Sequence, residues 1–303
     1  MTILYSSLQL GLLYGLMVLG IYISFRILNI PDLTTEGSFT FGLAVSAMFT
    51  DAGHPFIGLI MSIAAGLMAG CVTGLLQTKL RIHPILAGII TMSGLYSVNI
   101  AVLKGGANLS LIGDKTIFTM FRELLPNVDK EIVKLGVVFV MAAILVVLLS
   151  LFFKSHFGLC IRATGDNQEM LSASSVNVNV TKVAALGISN ACIAFCGGLT
   201  AQYQSFADIG SGTGILVVGL ASVIIGEAIF GKRSVTLGLI SAIIGSIIYR
   251  FIIALATKYS IFPSYMLKLI SSVIVAVALA IPAIKAAFYK GKVKRGGMKD
   301  VRN

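Results

Sequence analysis

The stretch "IVKLGVVFVMAAILVVLLSLFF", residues 132–153, decides the fold class of this chain. Lys134 is its one charged residue. A helix of about 20 apolar residues crosses the hydrocarbon core of a membrane, which is roughly 30 Å thick. An ordinary soluble domain carries about 25% charged residues, so a run of this length and polarity predicts a membrane-spanning helix.

Similar segments recur along the 303-residue chain, in which 57% of the residues are hydrophobic and 12% are charged. The mean hydropathy is +0.96. We predict an all-α polytopic membrane protein that forms one transmembrane domain over residues 1–303. The nine expected spans, of which the second and seventh are short and interrupted by glycine, are Leu8–Leu28, Ser38–Phe49, Pro55–Leu76, Ile85–Leu103, Ile132–Phe153, Val183–Tyr203, Ile215–Phe230, Thr236–Ala256 and Met266–Phe288.

The distribution of Lys and Arg predicts the orientation of the chain. Cytoplasmic loops next to spans are enriched in these residues, and the basic tail 289–303 lies directly after the last span. We therefore expect a cytoplasmic C-terminus and, with nine spans, an N-terminus outside. Such a tail is typical of contact with anionic lipid, so no nucleic-acid partner is expected.

Two long polar loops separate the spans. Residues 105–131 are predicted to be extracytoplasmic and contain "KTIFTMFRELLPN", in which Phe118, Phe121 and Leu125 share one face of a short helix. In the third span, Gly66, Gly70 and Gly74 follow at four-residue spacing and predict a close approach by a neighbouring helix.

The second polar loop, residues 154–182, is predicted to be cytoplasmic. It contains "GDNQEMLSASSVNVNVTK", in which Asp166 and Glu169 have the spacing of a capping box. This pattern predicts a helix of about nine or ten residues with Asp166 as its N-cap. Because such a helix is too short to be stable alone in water, it must pack on a groove in a partner protein or on the membrane surface.

The stretch "NIPDLTTEGSF", residues 29–39, places a proline, two acids and a glycine where a span should begin. Non-helical backbone at membrane depth is tolerated only where protein buries it or water reaches it, and a carboxylate at mid-membrane costs about 2.5 to 3.5 kcal/mol. We therefore expect Asp32 and Glu36 at the inner interface of the membrane or beside a cavity. Both places are compatible with Asp32 capping a helix whose first turn contains Glu36.

This stretch has a partner in the second half of the chain. "IPDLTTEGSFTFGLAVSA" at residue 30 and "FADIGSGTGILVVGLASV" at residue 206 each run from an acid, through Thr, Ser and Gly, into an apolar half-span that contains Gly-Leu-Ala. Paired interrupted segments of this kind are a sequence indicator of the binding site of a transporter near the midplane.

With these residues the chain resembles the permease subunits of ATP-binding-cassette (ABC) importers, in the branch that contains branched-chain amino acid, ribose and nucleoside permeases. The matching stretches include "RILNIPDLTTEGSFTFGLAV", "GGANLSL" and "FGLCIRATGDNQEMLSASSVNVNVTK". More narrowly, the chain is similar to the amino-acid subgroup associated with tryptophan- or tyrosine-type binding proteins. The resemblance implies a fold like that of type II ABC importers.

The resemblance also implies the roles of two sets of residues. The polar helix would be the coupling helix that sits in a cleft of the ATPase, formed by Asp166, Asn167, Gln168, Glu169, Met170, Leu171, Ala173, Val176 and Asn177. The interrupted segments Pro31–Phe41 and Phe206–Ile215 would flank the translocation path, with Pro31, Asp32, Thr35, Glu36, Ser38, Phe41, Asp208, Ser211 and Thr213 as its candidate residues. Ser175 stands where this family usually has a glycine.

The implied partners are two ATPase subunits, a second permease half and an extracytoplasmic substrate-binding protein in a bacterial cytoplasmic membrane. A homodimer with a second copy of this chain is the simplest arrangement, and a heterodimer with a similar permease is the alternative. ATP and magnesium would be bound by the ATPase, and this chain would need no metal or cofactor. The chain contains no G-x-x-x-x-G-K-[ST] phosphate loop, so energy must come from another chain or from an ion gradient. A secondary, ion-coupled transporter is therefore the alternative, whereas no set of residues indicates an enzyme.

Overall fold

The computed structural model describes residues 2–231 and 234–258, together with the isolated positions 269, 272, 273, 276 and 280. In this part of the chain, helices predominate. The α-helices are α1 (Thr2–Ile21), α2 (Thr34–Asp51), α3 (Pro55–Thr78), α4 (Pro84–Val102), α5 (Ile117–Leu124), α6 (Lys130–Lys154), α7 (His156–Asp166), α8 (Gln168–Ala173), α9 (Val178–Gln204), α10 (Ile215–Phe230) and α11 (Val235–Lys258). A π-helical segment (Tyr22–Ile27) extends α1, and a 3-10 turn (Ile209–Gly212) precedes α10.

Seven helices of the described residues are long and apolar enough to cross a membrane. The all-α polytopic prediction is confirmed, but the count of nine is not. The predicted span Ser38–Phe49 falls in α2, which is not among the seven, and Met266–Phe288 and the tail 289–303 lie outside the continuously described residues.

The polarity of α2 explains why hydropathy does not count it as a span. Thirteen of its eighteen residues are buried, including Thr35, Ser38 and Thr40. It packs between α3, α4 and α9. Protein surrounds it instead of lipid, so its hydroxyl groups can bond to helix carbonyls within the bundle.

The glycine stripe of α3 brings this helix against α9, as the four-residue spacing predicts. A Cβ atom added at Gly66 would overlap the carbonyl of Asn190, and one added at Gly70 would overlap that of Leu186. At Gly74 the added atom would lie 2.8 Å from the Cα of Val183. The three glycines therefore allow contact between the backbones of the two helices.

The loop over residues 105–131 is held to the bundle by a helix and a short strand. The predicted helix is confirmed as α5, in which Phe118 is buried and stacks edge-to-face on Tyr203 at 5.6 Å, while Leu125 lies beyond its end. Strand β1 (Asn108–Ser110) pairs antiparallel with β2 (Phe206–Asp208), which leads into the second interrupted segment.

Candidate functional site

Asp32 lies in the connection before α2 and is buried, with 4% of its surface exposed. Its Oδ1 accepts a hydrogen bond from the backbone N–H of Thr34 at 2.9 Å, and its Oδ2 accepts one from the Asn190 amide at 2.7 Å. Asp32 thus joins the start of α2 to the middle of α9.

Glu36, in the first turn of α2, contacts the second interrupted segment. Its Oε1 accepts a hydrogen bond from the backbone N–H of Gly214 at 2.9 Å, at the residue that precedes α10. One turn later, Thr40 lies so close to Gly212 that an added Cβ at this glycine would overlap the threonine hydroxyl. The two segments that the sequence pairs therefore meet in the folded chain.

A cavity of about 440 Å³ lies at this meeting point. Its walls come from α2, α4 and the 3-10 turn, and we refer to it as the α2–α4 cavity. The residues that line it are Glu36, Gly37, Thr40, Met92, Ser93, Tyr96, Asn99, Ile209, Gly212 and Thr213. It combines a carboxylate with hydroxyl, amide and apolar groups, as small-molecule sites commonly do.

Of the predicted path residues, only Glu36 and Thr213 line this cavity. Ser211 and Thr213 border a neighbouring cavity with Tyr14 and Arg250, and Asp208 accepts a bond from the Ser211 hydroxyl at 3.4 Å. The structure places the other predicted path residues elsewhere: Asp32, Thr35 and Ser38 are buried, Pro31 is exposed and Phe41 is partly exposed.

The sequence patterns do not indicate the contribution of α4. Met92, Tyr96 and Asn99 lie on a helix that reads as an uninterrupted apolar span. An asparagine in such a span is the one signal that was available, because an amide at membrane depth needs a hydrogen-bond partner.

The cytoplasmic-loop helix differs from its prediction. Asp166 is the last residue of α7, and Asn167 is the N-cap of α8, with its Oδ1 accepting a bond from the Met170 N–H at 3.0 Å. Asn167 is extended, with a φ of −157°, whereas its own N–H still bonds to the Ala163 carbonyl and closes α7. The capping-box prediction at Asp166 is therefore wrong, and α8 has six residues instead of nine or ten.

The surface of α8 is mostly exposed. Gln168, Glu169 and Ala173 are exposed, as is Met170 at 58%, whereas Leu171 is buried. After the helix, Ser175 has a φ of +60°. Val176 is partly buried, and the exposed Asn177 caps α9 by accepting bonds from the N–H groups of Asn179 and Val180.

The helix before it, α7, contacts the spans directly. The Asn29 amide donates to the Gly165 carbonyl at 3.0 Å, and a Cβ added at Gly165 would overlap the Ile27 carbonyl. The Thr164 and Thr181 hydroxyls are 2.8 Å apart and join α7 to α9.

A second cavity, of about 340 Å³, opens beside α7. Asp166 and Arg162 line it, together with Arg26 of the π-helical segment and Glu227 of α10. The Nε of Arg26 lies 2.5 Å from the Oε1 of Glu227. This ion pair connects the end of the first span to the end of α10.

Residues 3–279 match the family model described as branched-chain amino acid transport system / permease component. Over 95% of the chain, it is 35% identical to the tyrosine transport system permease protein of Clostridioides difficile, of which it covers 94%. It is 28% identical to the galactose/methyl galactoside import permease of Haemophilus influenzae over 80% of the chain and 72% of that protein.

A further relative is the autoinducer 2 import system permease of Yersinia enterocolitica. It is 25% identical over 74% of the chain and 59% of that protein. No solved structure matches the chain significantly.

Proposed function

Because the chain belongs to the family of branched-chain amino acid transport system permease components, we propose that it is the membrane subunit through which an ATP-driven importer passes an amino acid into the cell. The match to a tyrosine permease over 95% of the chain supports an amino acid as the solute. The permease subunits of this family are not themselves catalytic, so ATP and magnesium belong on a separate ATPase.

The proposed translocation path runs along the junction of the two interrupted segments. The bond between the Glu36 carboxylate and the Gly214 N–H carries this proposal, because it joins the first turn of α2 to the start of α10 beside a cavity. Non-helical backbone at membrane depth is stable where it lines such a space. Asp32 and Asn190 form a buried hydrogen-bonded pair that holds α2 on α9 next to this path.

The proposed coupling segment is α8 with its flanking residues, Asp166–Asn177. A six-residue helix has too few internal bonds to be stable alone, and the exposed Met170 beside Glu169 is a suitable contact for a groove in an ATPase. The bond from Asn29 to Gly165 and the bond between Thr164 and Thr181 supply the route by which movement of α8 reaches the spans.

The proposed assembly contains two copies of this permease, two ATPase subunits and an extracytoplasmic substrate-binding protein. Tyr96, on the wall of the α2–α4 cavity, is 57% exposed, so this wall remains available to a second copy. The proposed location is a bacterial cytoplasmic membrane, with the C-terminus in the cytoplasm, in keeping with the positions of Lys and Arg.

Gentle extraction from the native membrane, followed by mass spectrometry of the co-purifying proteins, tests the assembly. We expect an ATPase of the cassette type with the unaltered chain and its loss with a Glu169→Ala/Met170→Ser variant. The matched control is Met68→Ser, which changes a methionine of similar exposure, 56%, on α3. Recovery of the permease without any ATPase would contradict the proposal.

A further inference from the structure

The α2–α4 cavity contains a carboxylate that lacks a cationic partner. In the part of the chain that the structure describes, the ion pairs join Arg26 to Glu227 and Lys104 to Asp51, and neither includes Glu36. Glu36 is partly exposed to the cavity, and one of its oxygens accepts the single bond from Gly214. A carboxylate in a low-dielectric site favours a cationic group nearby.

A second acceptor lies in the same wall. Asn99 is 2% exposed, and its Nδ2 donates to the carbonyl of Gly37 at 3.4 Å. Its Oδ1 has no hydrogen-bond partner among the described residues. Unpartnered buried polar atoms are few in folded proteins, so this oxygen requires an explanation such as a ligand or an ion.

Glu36 and Asn99 both present hydrogen-bond acceptors to the cavity. Carboxylate and amide oxygens both accept hydrogen bonds, so the ligand must donate. Asn99 of α4 bonds to Gly37 of α2, the residue next to Glu36, and both Glu36 and Asn99 line the cavity. Tyr96 also lines the cavity, and aromatic rings attract cations.

We propose that Glu36 and Asn99 form a subsite for the ammonium group of the transported solute. The inference rests on the proposed function, because an α-amino acid carries an ammonium group with three N–H donors. The permease would then select for a positively charged amino group in addition to whatever the binding protein selects. The oxygen of Glu36 that Gly214 does not use and the Oδ1 of Asn99 are the acceptors.

The alternative role of Glu36 is structural, as a side chain that holds the start of α10. Glu36→Gln separates the two roles, because the glutamine amide oxygen can still accept the bond from the Gly214 N–H but carries no charge. A structural role therefore predicts an unchanged protein, and an ammonium subsite predicts a loss of transport.

The test is uptake of a mixture of ¹⁴C-labelled L-amino acids by proteoliposomes that contain the full importer. ATP is supplied on the side of the membrane on which the ATPase lies. For Glu36→Gln we expect uptake at limiting solute to fall about tenfold or more, the effect of losing a charge-assisted hydrogen bond. Asp51→Asn is the control, because it removes the same charge from the ion pair with Lys104 outside the cavity. Its uptake should equal that of the unaltered chain.

A double variant supplies a readout that a structural role would not change. Glu36→Gln/Asn99→Asp moves the carboxylate across the cavity, and we expect it to recover part of the uptake lost in Glu36→Gln.

Full uptake by Glu36→Gln would overturn this inference but not the proposed function. Loss of uptake by the unaltered chain when choline replaces Na⁺ and K⁺ would also overturn the inference, because it would assign the site to an inorganic cation. If Glu36→Gln fails to assemble, Asn99→Leu decides, with full uptake again overturning the inference. Absence of ATP-dependent uptake by the unaltered chain would overturn the proposed function and this inference with it.

Discussion

At the scale of single residues, buried polar groups fix the positions of the helices around the site. The carboxylate of Asp32 bonds to Thr34 of its own segment and to Asn190 of α9, which is 158 residues away in sequence. Buried polar groups are costly when they lose their partners. Asp32 therefore joins α2 to α9, while Glu36, one turn further on, lines the α2–α4 cavity.

Asp32→Ala is expected to destabilise the protein by about 2 kcal/mol or more, because the Thr34 N–H and the Asn190 amide lose their acceptor. Asp32→Asn should cost less, since its amide oxygen can still accept one of these bonds. Unfolding of the purified permease in mixed detergent, followed by circular dichroism, measures both. Equal stability of Asp32→Ala and the unaltered protein would contradict the assignment.

Ser175→Gly is expected to stabilise the loop after α8 by up to about 1 kcal/mol. Ser175 has a φ of +60°, a left-handed conformation that is costly for a residue with a side chain. Glycine adopts it without strain. Thermal unfolding checks this, and a lower unfolding temperature for the variant would show that the serine side chain has a stabilising role there.

Some residues of the candidate site could be predicted from the sequence and others could not. Glu36 and Thr213 could be predicted, because the interrupted segments that contain them carry a proline, acids and glycines where apolar residues should be. Asn99 is a lone amide in an apolar helix, which indicates a hydrogen-bond partner but does not identify it, and Asn190 lies within a regular helix; the partner of each lies in another element. Local patterns identify a break in a helix but not the distant side chain that packs against it.

At the scale of elements, close contact between helix backbones determines how the bundle is assembled. The stripe of Gly66, Gly70 and Gly74 could be predicted from its spacing, and its partner α9 could not, because the spacing does not identify the opposing helix.

The residue at which α8 begins depends on which of two neighbouring residues caps it. Asp166 and Asn167 are both good N-cap residues, and the N–H of Asn167 completes the last turn of α7, which leaves Asn167 itself as the cap.

Gly70→Ala is expected to destabilise the protein by about 1 to 3 kcal/mol, because its methyl group would overlap the backbone of α9 at Leu186. The matched control is Gly94→Ala in α4, where an added Cβ has no neighbour within 4 Å. This control should be stabilised slightly, since alanine favours a helix more than glycine does. The yield of monodisperse protein and its unfolding temperature measure both variants, and equal effects would contradict the packing of α3 on α9.

At the scale of the whole molecule, the site and the proposed coupling segment are linked by α9 and the end of the first span. α9 contacts α7 through Thr181 and Asp32 through Asn190. The π-helical segment contacts α7 at Gly165 and α10 through the Arg26–Glu227 pair. Movement of α7 and α8 would therefore displace the elements that border both cavities, which is what an importer driven by an external ATPase requires.

The most direct test of the central claim is amino-acid uptake by proteoliposomes that contain the permease, its ATPase and its binding protein. We expect uptake that requires ATP and all three components, is abolished by Glu169→Ala/Met170→Ser and is retained by Met68→Ser. Uptake by the permease alone under an imposed ion gradient, with no dependence on ATP, would contradict it and would establish a secondary transporter instead.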